Sequence, residues 1–505
     1  MKDLIDRQIV AEYCRCFNAQ DEEPYHGDIR NADAEDFLCA EIPRFECPDP
    51  VFEEIWYFRW WSFRKHIKST PYGRVFLEFM PDVPWAGNFN TINCPAAHQL
   101  HEARWFNNKK IAEEYLAFWL NPETGAAVRS YTFGPARSAL DLEYVTGNFR
   151  FAAQFYPALY ENYLQWKQTH SGKNGLFFQT DNRDGMECSI GGSGYRATIN
   201  SCMAAEAQVL AILAEANGDL NAADDFRKEY EELRNRFINH LWNEEMSFFM
   251  TRKKEDDTFV NVRELHGFTP WFYFADLPEK YDCAWTQLND PEGFMAPFGP
   301  TTAERRHQGF LLDRSGHECQ WNGPSWPFAT SVTLTALEKL LHARKNNVVS
   351  NRNFFDVLSC YTRSHYLREN GKIIPWIDEN LDPFTGRWLS REILKEWERQ
   401  GLHTDAMHYE RGKDYSHSTY ADLIITGLCG IIPDVEGRIV VDPLLPAECW
   451  DYFLLDGVRL KGHTVSLQYD RDGRFYNRGR GLTLYLDGVA AANSENGLGR
   501  LEVQL

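Results

Sequence analysis

Residues 200–219, NSCMAAEAQVLAILAEANGD, run straight into LNAADDFRKEYEELRNRFINHLW, residues 220–242. This pair constrains the fold more than any other part of the chain. In the second segment Phe226, Tyr230, Leu233, Phe237 and Leu241 step by four, three, four and four. That spacing predicts an amphipathic helix with one apolar stripe. The first segment predicts another helix, which stops at Gly218, a C-terminal cap. An Asn-Gly-Asp turn joins them, so an αα-hairpin is expected.

Helical patterning recurs near 50–68, 96–119, 136–169, 326–345, 350–369 and 416–431, about a dozen helices once split ones are allowed. No sequence repeat accompanies it, which favours a closed helical array over a solenoid. After Pro433 the character changes. Val465, Leu467 and Tyr469 alternate, and Asp-Gly pairs at 456, 472 and 487 read as hairpin turns. The expected organisation is an extension over 1–45 packed on the outside, a helical domain over 46–435 and a small antiparallel β-domain over 436–505.

The 505 residues are 43% hydrophobic and 14% aromatic, enough for a large core and too aromatic for disorder. Sixteen tryptophans exceed what packing alone asks for, and aromatic faces lining a groove are one use for the surplus. A formal charge of −20 repels phosphate backbones and anionic lipid, so neither nucleic acid nor membrane is an expected partner. No apolar run approaches the roughly 20 residues that span a bilayer. The start, MKDLIDRQIVAEYCRCF, has charges where a signal peptide needs an apolar core, so a cytoplasmic location is expected. Twelve cysteines without a repeated spacing read as reduced thiols rather than a zinc site, and no metal or cofactor is expected.

Four loops are rich in the wrong residues for mere connectors. DGMECSIGGSGYR, residues 184–196, sets Asp184 and Glu187 beside a glycine-rich corner and Arg196. HECQWNGPSWPF, residues 317–328, groups Trp321, Asn322 and Trp326 around a Gly-Pro turn. PWIDENLDPFTGRW, residues 375–388, carries Trp376, Asp378, Glu379 and Asp382. DYSHSTYADLIITGL sets Tyr415 and His417 at the opening of a late apolar helix. Taken alone, Asp184 and Glu187 read as a solvated acidic turn, and Trp326 reads equally as a hydrophobic plug. His66, His98 and His101 read as structural histidines.

In this order the loops resemble those of the six-hairpin glycoside hydrolases, which fold as an (α/α)6 barrel. The resemblance is closest to the mannosylglycerate-hydrolase-like proteins, kin of processing α-glucosidase and trehalase. Residues 184–189 are similar to the family's S-G-x-D-N-S acid motif, with Glu187 in place of its Asp. Trp321 to Trp326 resembles W-x-G-P-x-W, and Glu379 to Gly386 resembles the base motif E-Y-x-D-P-x-T-G. The likeness spans roughly residues 50 to 435.

The resemblance implies an inverting, exo-acting glycosidase on an oligosaccharide, with Glu187 as general acid and Glu379 as general base. Asp184 is the alternative acid, or a neighbour that tunes the acid's pKa. Trp321, Asn322, Trp326, Arg196, Trp376, Tyr415 and His417 are the expected substrate contacts. For Arg196 a pairing with Asp184 is the other reading, and Tyr415 and His417 are alternatively helix-capping neighbours. The chemistry agrees with the residue types, because glycosidic cleavage needs one protonated carboxyl at the leaving oxygen and one carboxylate. Three rivals remain: a phosphorylase, whose phosphate the acidic loop would repel; a sugar epimerase, which would want histidines; and a sugar-binding protein without turnover.

Overall fold

The computed structural model describes residues 4–148, 150–311, 317–402, 408–433 and 437–505. The expected domain boundary at 435/436 lies outside the described residues. Six helical segments form an inner ring: Ala96–Ala103, Pro135–Thr146, Ala197–Ala216, Thr269–Tyr273, Pro327–Ala343, and Ala421–Leu423 continued by the π-turn Ile424–Leu428. Each packs on the next, and the last returns to the first. Alternating with them in chain order, Pro50–Arg64, Lys110–Leu120, Tyr156–His170, Leu220–Leu241, Glu279–Trp285 with Thr286–Asn289, and Asn351–Ser364 lie outside. This is an (α/α)6 barrel.

Sequence pattern explains which helix goes where. Leu220–Leu241 buries Phe226, Leu233, Phe237 and Leu241, and its other faces meet solvent. Ala197–Ala216 is buried along almost its whole length, and Ala204, Ala205, Ala207 and Ala211 let neighbouring helices approach closely. Truncating Leu210, fully buried there, would cost about 2–5 kcal/mol. By length and composition this helix could cross a bilayer, which the sequence reading did not expect; here it lies inside the barrel.

Two predicted helices split. The 96–119 stretch breaks between Ala103 and Lys110, and 136–169 breaks at Gly147, whose φ of 74° caps the helix in the left-handed region. The ends of two more become hairpins, Ile67–Thr70 with Gly73–Phe76 and Tyr366–Glu369 with Lys372–Pro375. The late helix starts only at Ala421, because 415–420 serve the site described below.

Gln8–Asn18 and Ala34–Glu41 cover Pro50–Arg64, which is why that outer helix is buried. Behind the barrel, Arg44–Glu46, Tyr452–Leu460, His463–Asp470, Gly481–Leu486 and Val489–Ser494 form an antiparallel sheet in that spatial order. Asp472-Gly473 and Asp487-Gly488 lie in turns between its strands, as expected, but Asp456-Gly457 does not. It sits inside a strand at a register shift between Leu455 and Val458, and the turn falls at Lys461-Gly462. Asp456 is buried there, accepting hydrogen bonds from the Leu4 and Ile5 backbone and pairing with Arg44 at 2.8 Å.

Candidate active site

A cavity of about 490 Å³ opens where the loops enter the N-terminal ends of the inner helices. The positive ends of those helices suit a site rich in carboxylates. The first loop starts with a short turn, Asp181–Asp184, and then Gly185 with φ 70°. A Cβ on Gly185 would collide with the Cys94 sulfur, so only glycine fits. Met186 is buried, Glu187 faces the cavity, and Cys188 turns the chain away at φ 61°, a conformation that strains a non-glycine residue.

Asp184 and Glu187 have separate fates. Asp184 is buried and accepts from Arg196 Nε at 2.7 Å, from the Thr132 hydroxyl at 2.6 Å and from the Thr198 hydroxyl. Arg196, fully buried, also donates to the Gly192 carbonyl. This pair stitches the loop to the helix it precedes, and neither residue lines the cavity.

The loops are bolted to one another by backbone. The Trp321 N–H donates to the Glu187 carbonyl at 3.0 Å, and Ser325 and Leu381 exchange two hydrogen bonds of 2.9 Å. Asn380 Nδ2 donates to the Glu318 carbonyl at 3.0 Å. Gly412 approaches Asp378 so closely that a Cβ would overlap its carboxylate. On the outer side, Asp21 holds Lys65 and Lys413 at 2.5 Å each, and Lys65 holds Asp414, so the N-terminal segment braces the fourth loop.

Inside the cavity Trp321 and Trp326 stack at 4.6 Å between centroids, and Phe328 meets Trp321 edge-on. The indole Nε1 of Trp326 donates to the Gln320 carbonyl, whereas the buried Nε1 of Trp321 has no partner among the described residues. Such a donor in a cavity wall suits a ligand hydroxyl. His417 packs against Tyr415 and Trp326, and burial pushes its pKa well down, so it is a neutral ring at pH 7.

Four carboxyl groups line this space. Burial raises Glu187, although the Cys319 thiol, donating to its Oε2 at 3.1 Å, works the other way. Burial pushes Glu379 to about 7, opposed by Arg411 and helped by Glu318 and Asp378. Glu78, buried and accepting from the Tyr415 hydroxyl, rises to about 8. Burial would raise Glu318 too, but Arg411 outweighs it and holds that carboxyl low. The Arg411 guanidinium bridges Glu318 at 2.6 Å and Glu379 at 3.1 Å, beneath Trp85 and Phe79. Carboxyl groups raised by burial beside one held low by Arg411, in the same apolar-walled space, can move a proton in each direction.

Of the residues singled out by sequence, Glu187, Glu379, Trp321, Trp326, Tyr415 and His417 line the cavity. Asp184, Arg196, Asn322 and Trp376 do not. Asn322 holds Leu311 through its carbonyl, and Trp376 lies behind Glu379, between Arg391 and Lys413. Sequence reading missed Glu78, Glu318, Arg411 and Cys319. Glu78 had a signal, as a lone acid in the apolar run Phe76-Leu77-Glu78-Phe79-Met80. Glu318 and Cys319 lay within a loop already singled out, beside more conspicuous tryptophans. Among the described residues no group of three or more His, Cys, Asp or Glu side chains is arranged to hold a metal ion.

The family described as the mannosylglycerate hydrolase MGH1-like glycoside hydrolase domain matches residues 88–418, more than half of the chain. A solved structure named Sialidase is 35% identical with a TM-score of 0.90, over 99% of this chain and 44% of that one. The chain thus spans less than half the length of that relative. Two further structures share the fold. A family GH78 rhamnosidase of Bacillus sp. GL1 is 15% identical with a TM-score of 0.56, over 88% of this chain and 42% of that one. A GH63 mannosylglycerate hydrolase from Thermus thermophilus, in complex with Tris, is 11% identical with a TM-score of 0.52, over 74% of this chain and all of that one. The chain belongs to the mannosylglycerate hydrolase MGH1-like glycoside hydrolase family.

Proposed function

We propose that the chain is a glycosidase, inverting and exo-acting, which releases one neutral sugar from the end of an oligosaccharide. Glu187 is the general acid and Glu379 the general base. The observation that carries the reading is that these two carboxyl groups, from loops far apart in the chain, line one aromatic-walled cavity. Glu187 gives its proton to the glycosidic oxygen as the bond to the anomeric carbon breaks. Glu379 takes a proton from a water whose oxygen attacks that carbon from the opposite face. Glu187 is preferred to Asp184 because both Asp184 oxygens are engaged away from the cavity. A cavity of about 490 Å³ at the mouth of the barrel suits a chain end better than the middle of a polymer.

Charge supports a neutral sugar. Arg411 is already shared by Glu318 and Glu379, and His317 lies 3.6 Å from Glu318. An anionic sugar would have to displace a carboxylate to reach the Arg411 guanidinium, at a large desolvation cost. Phosphate would meet the same obstacle, which weighs against phosphorolysis.

The test is a screen of nitrophenyl glycosides and plant or microbial oligosaccharides, with proton NMR of the first product. The expected product is a neutral monosaccharide of anomeric configuration opposite to the substrate. A retained configuration would overturn the inverting assignment and recast Glu379 as a nucleophile about 5 Å from the acid. Calorimetric binding without release would point to a sugar-binding protein instead.

A further inference from the structure

We propose that Cys319 is a positioning residue for the general acid. Its thiol hydrogen holds one carboxyl oxygen of Glu187, so that Glu187 carries its own proton on the other oxygen, toward the glycosidic bond. The inference rests on the reading of Glu187 as the acid.

The geometry comes first. Cys319 Sγ lies 3.1 Å from Glu187 Oε2, and both residues line the catalytic cavity. The thiol's direction is set by its backbone. The Cys319 N–H donates to His317 Nδ1 at 3.0 Å, Asn380 grips the Glu318 carbonyl, and the Trp321 N–H grips the Glu187 carbonyl. Thiol and carboxyl therefore sit on two segments tied by the Trp321–Glu187 bond, with the thiol's loop anchored before it to the Glu379 loop.

A neutral carboxyl has one acceptor oxygen and one hydroxyl oxygen. A thiol donating to Oε2 makes that atom the acceptor, which leaves the proton on Oε1. The donor must stay a thiol for this to work. Burial, reinforced by Glu187, Glu379 and Glu318, pushes the Cys319 pKa well up and keeps its hydrogen on sulfur. The other titrating groups that face Glu187 are His317, Asp181, Glu78, Cys94, Tyr131 and Cys188. Among the described residues, the Cys319 thiol is the side-chain donor within hydrogen-bonding distance of that carboxyl.

The contact has a second consequence. A donor favours the ionised carboxyl, so losing it raises the acid's pKa and keeps Glu187 protonated to higher pH.

The experiment compares wild type, Cys319→Ala, Cys319→Ser and Glu187→Gln on aryl glycosides of the sugar returned by the screen. Leaving groups run from phenol to dinitrophenol. Cys319→Ala should lose roughly 10-fold in kcat on the phenyl glycoside and little on the dinitrophenyl one, which needs no proton. The alkaline limb of its kcat/KM profile should move up by about 0.5–1 pH unit. Cys319→Ser, whose hydroxyl donates in the same direction, should restore both. Equal losses on every leaving group with an unmoved limb would reduce Cys319 to packing and overturn the proposal. A Glu187→Gln enzyme with wild-type rates on the phenyl glycoside would instead overturn the acid assignment, so the two failures are separable. Infrared spectroscopy gives a readout without substrate. The S–H stretch of Cys319, isolated by subtracting the Cys319→Ala spectrum, should shift when Glu187 becomes Gln or titrates, and a band indifferent to both overturns the contact.

Discussion

The barrel has a cavity at each mouth, similar in size and opposite in electrostatic design. At the mouth away from the catalytic loops, about 420 Å³ is lined by Arg104, Asp422, Arg137, Asp141 and Glu338, among others. There the aspartates have their own cations, Arg104 on Asp422 at 2.7 Å and Arg137 on Asp141 at 2.6 Å. Burial raises Asp141, yet Arg137 and His101 outweigh it and hold its carboxyl well below its usual value. Glu338 is the exception; burial pushes it up, and only the Thr426 hydroxyl, of the donors described, reaches its carboxyl. At the candidate catalytic mouth, among the described residues, four glutamates line the cavity with one arginine, which pairs with two of them, and three of the four are pushed up. An excess of carboxyl groups over cations, rather than charge itself, sets the catalytic end apart.

The sharpest way to break this comparison is Glu187→Gln. It should cost 10²- to 10⁴-fold in kcat/KM on an unactivated glycoside, about 2.7–5.5 kcal/mol, with the melting temperature held within a few degrees. Steady-state rates and calorimetry on the same preparation check both halves.

At the far mouth the expected result is the reverse. Arg104→Met strands a buried Asp422 and should cost about 3–5 kcal/mol of stability in denaturant unfolding, while kcat of the folded enzyme stays unchanged. A fall in kcat with intact stability would make the far mouth part of the catalytic machinery.

Arg411→Met sharpens the asymmetry. Arg411 lowers Glu379, so without it the Glu379 pKa rises further. As the proposed base, Glu379 works deprotonated, so the acidic limb of kcat/KM should move up by about one pH unit, with the greatest loss below pH 7. An unmoved limb would remove Glu379 from the base role.

Trp321→Ala should have the smallest effect, weakening substrate affinity roughly 5- to 10-fold, about 1–1.4 kcal/mol, if a sugar ring stacks there. A large drop in melting temperature with unchanged KM would assign it to the core.

Much of the barrel was legible because periodicity survives burial. The stripe from Phe226 to Leu241 is the buried face of an outer helix, and Gly218 ends its partner. The splits near Phe106 and Gly147 had quieter signals, the polar run Asn107-Asn108-Lys109-Lys110 and the Gly147-Asn148 pair, which the apolar residues on either side outweighed. In the site, the loops announced themselves by composition, and Glu187 and Glu379 face one space. What sequence could not separate was Asp184 from Glu187, three residues apart and chemically alike. Their difference lies in Arg196, Thr132 and Thr198, which take one carboxylate out of the cavity. Arg411 was invisible for a related reason, because its role is defined by Glu318 and Glu379, remote in sequence.

The buried pair of Arg44 and Asp456, whose residues are 412 apart in the chain, carries a consequence for biosynthesis. At about 5–20 residues per second, a ribosome makes Arg44–Glu46 roughly 20–80 s before the strand it pairs with. Through that interval the segment is an edge with unanswered backbone donors and acceptors, open to any other strand it meets. The helices Gln8–Asn18 and Ala34–Glu41 dock on Pro50–Arg64, which is made soon after them, and can shelter the segment early. The sheet itself must wait for one of the most distant contacts in the molecule. A nascent chain stalled anywhere before residue 452 therefore keeps this early strand exposed to aggregation, far from the segment being made.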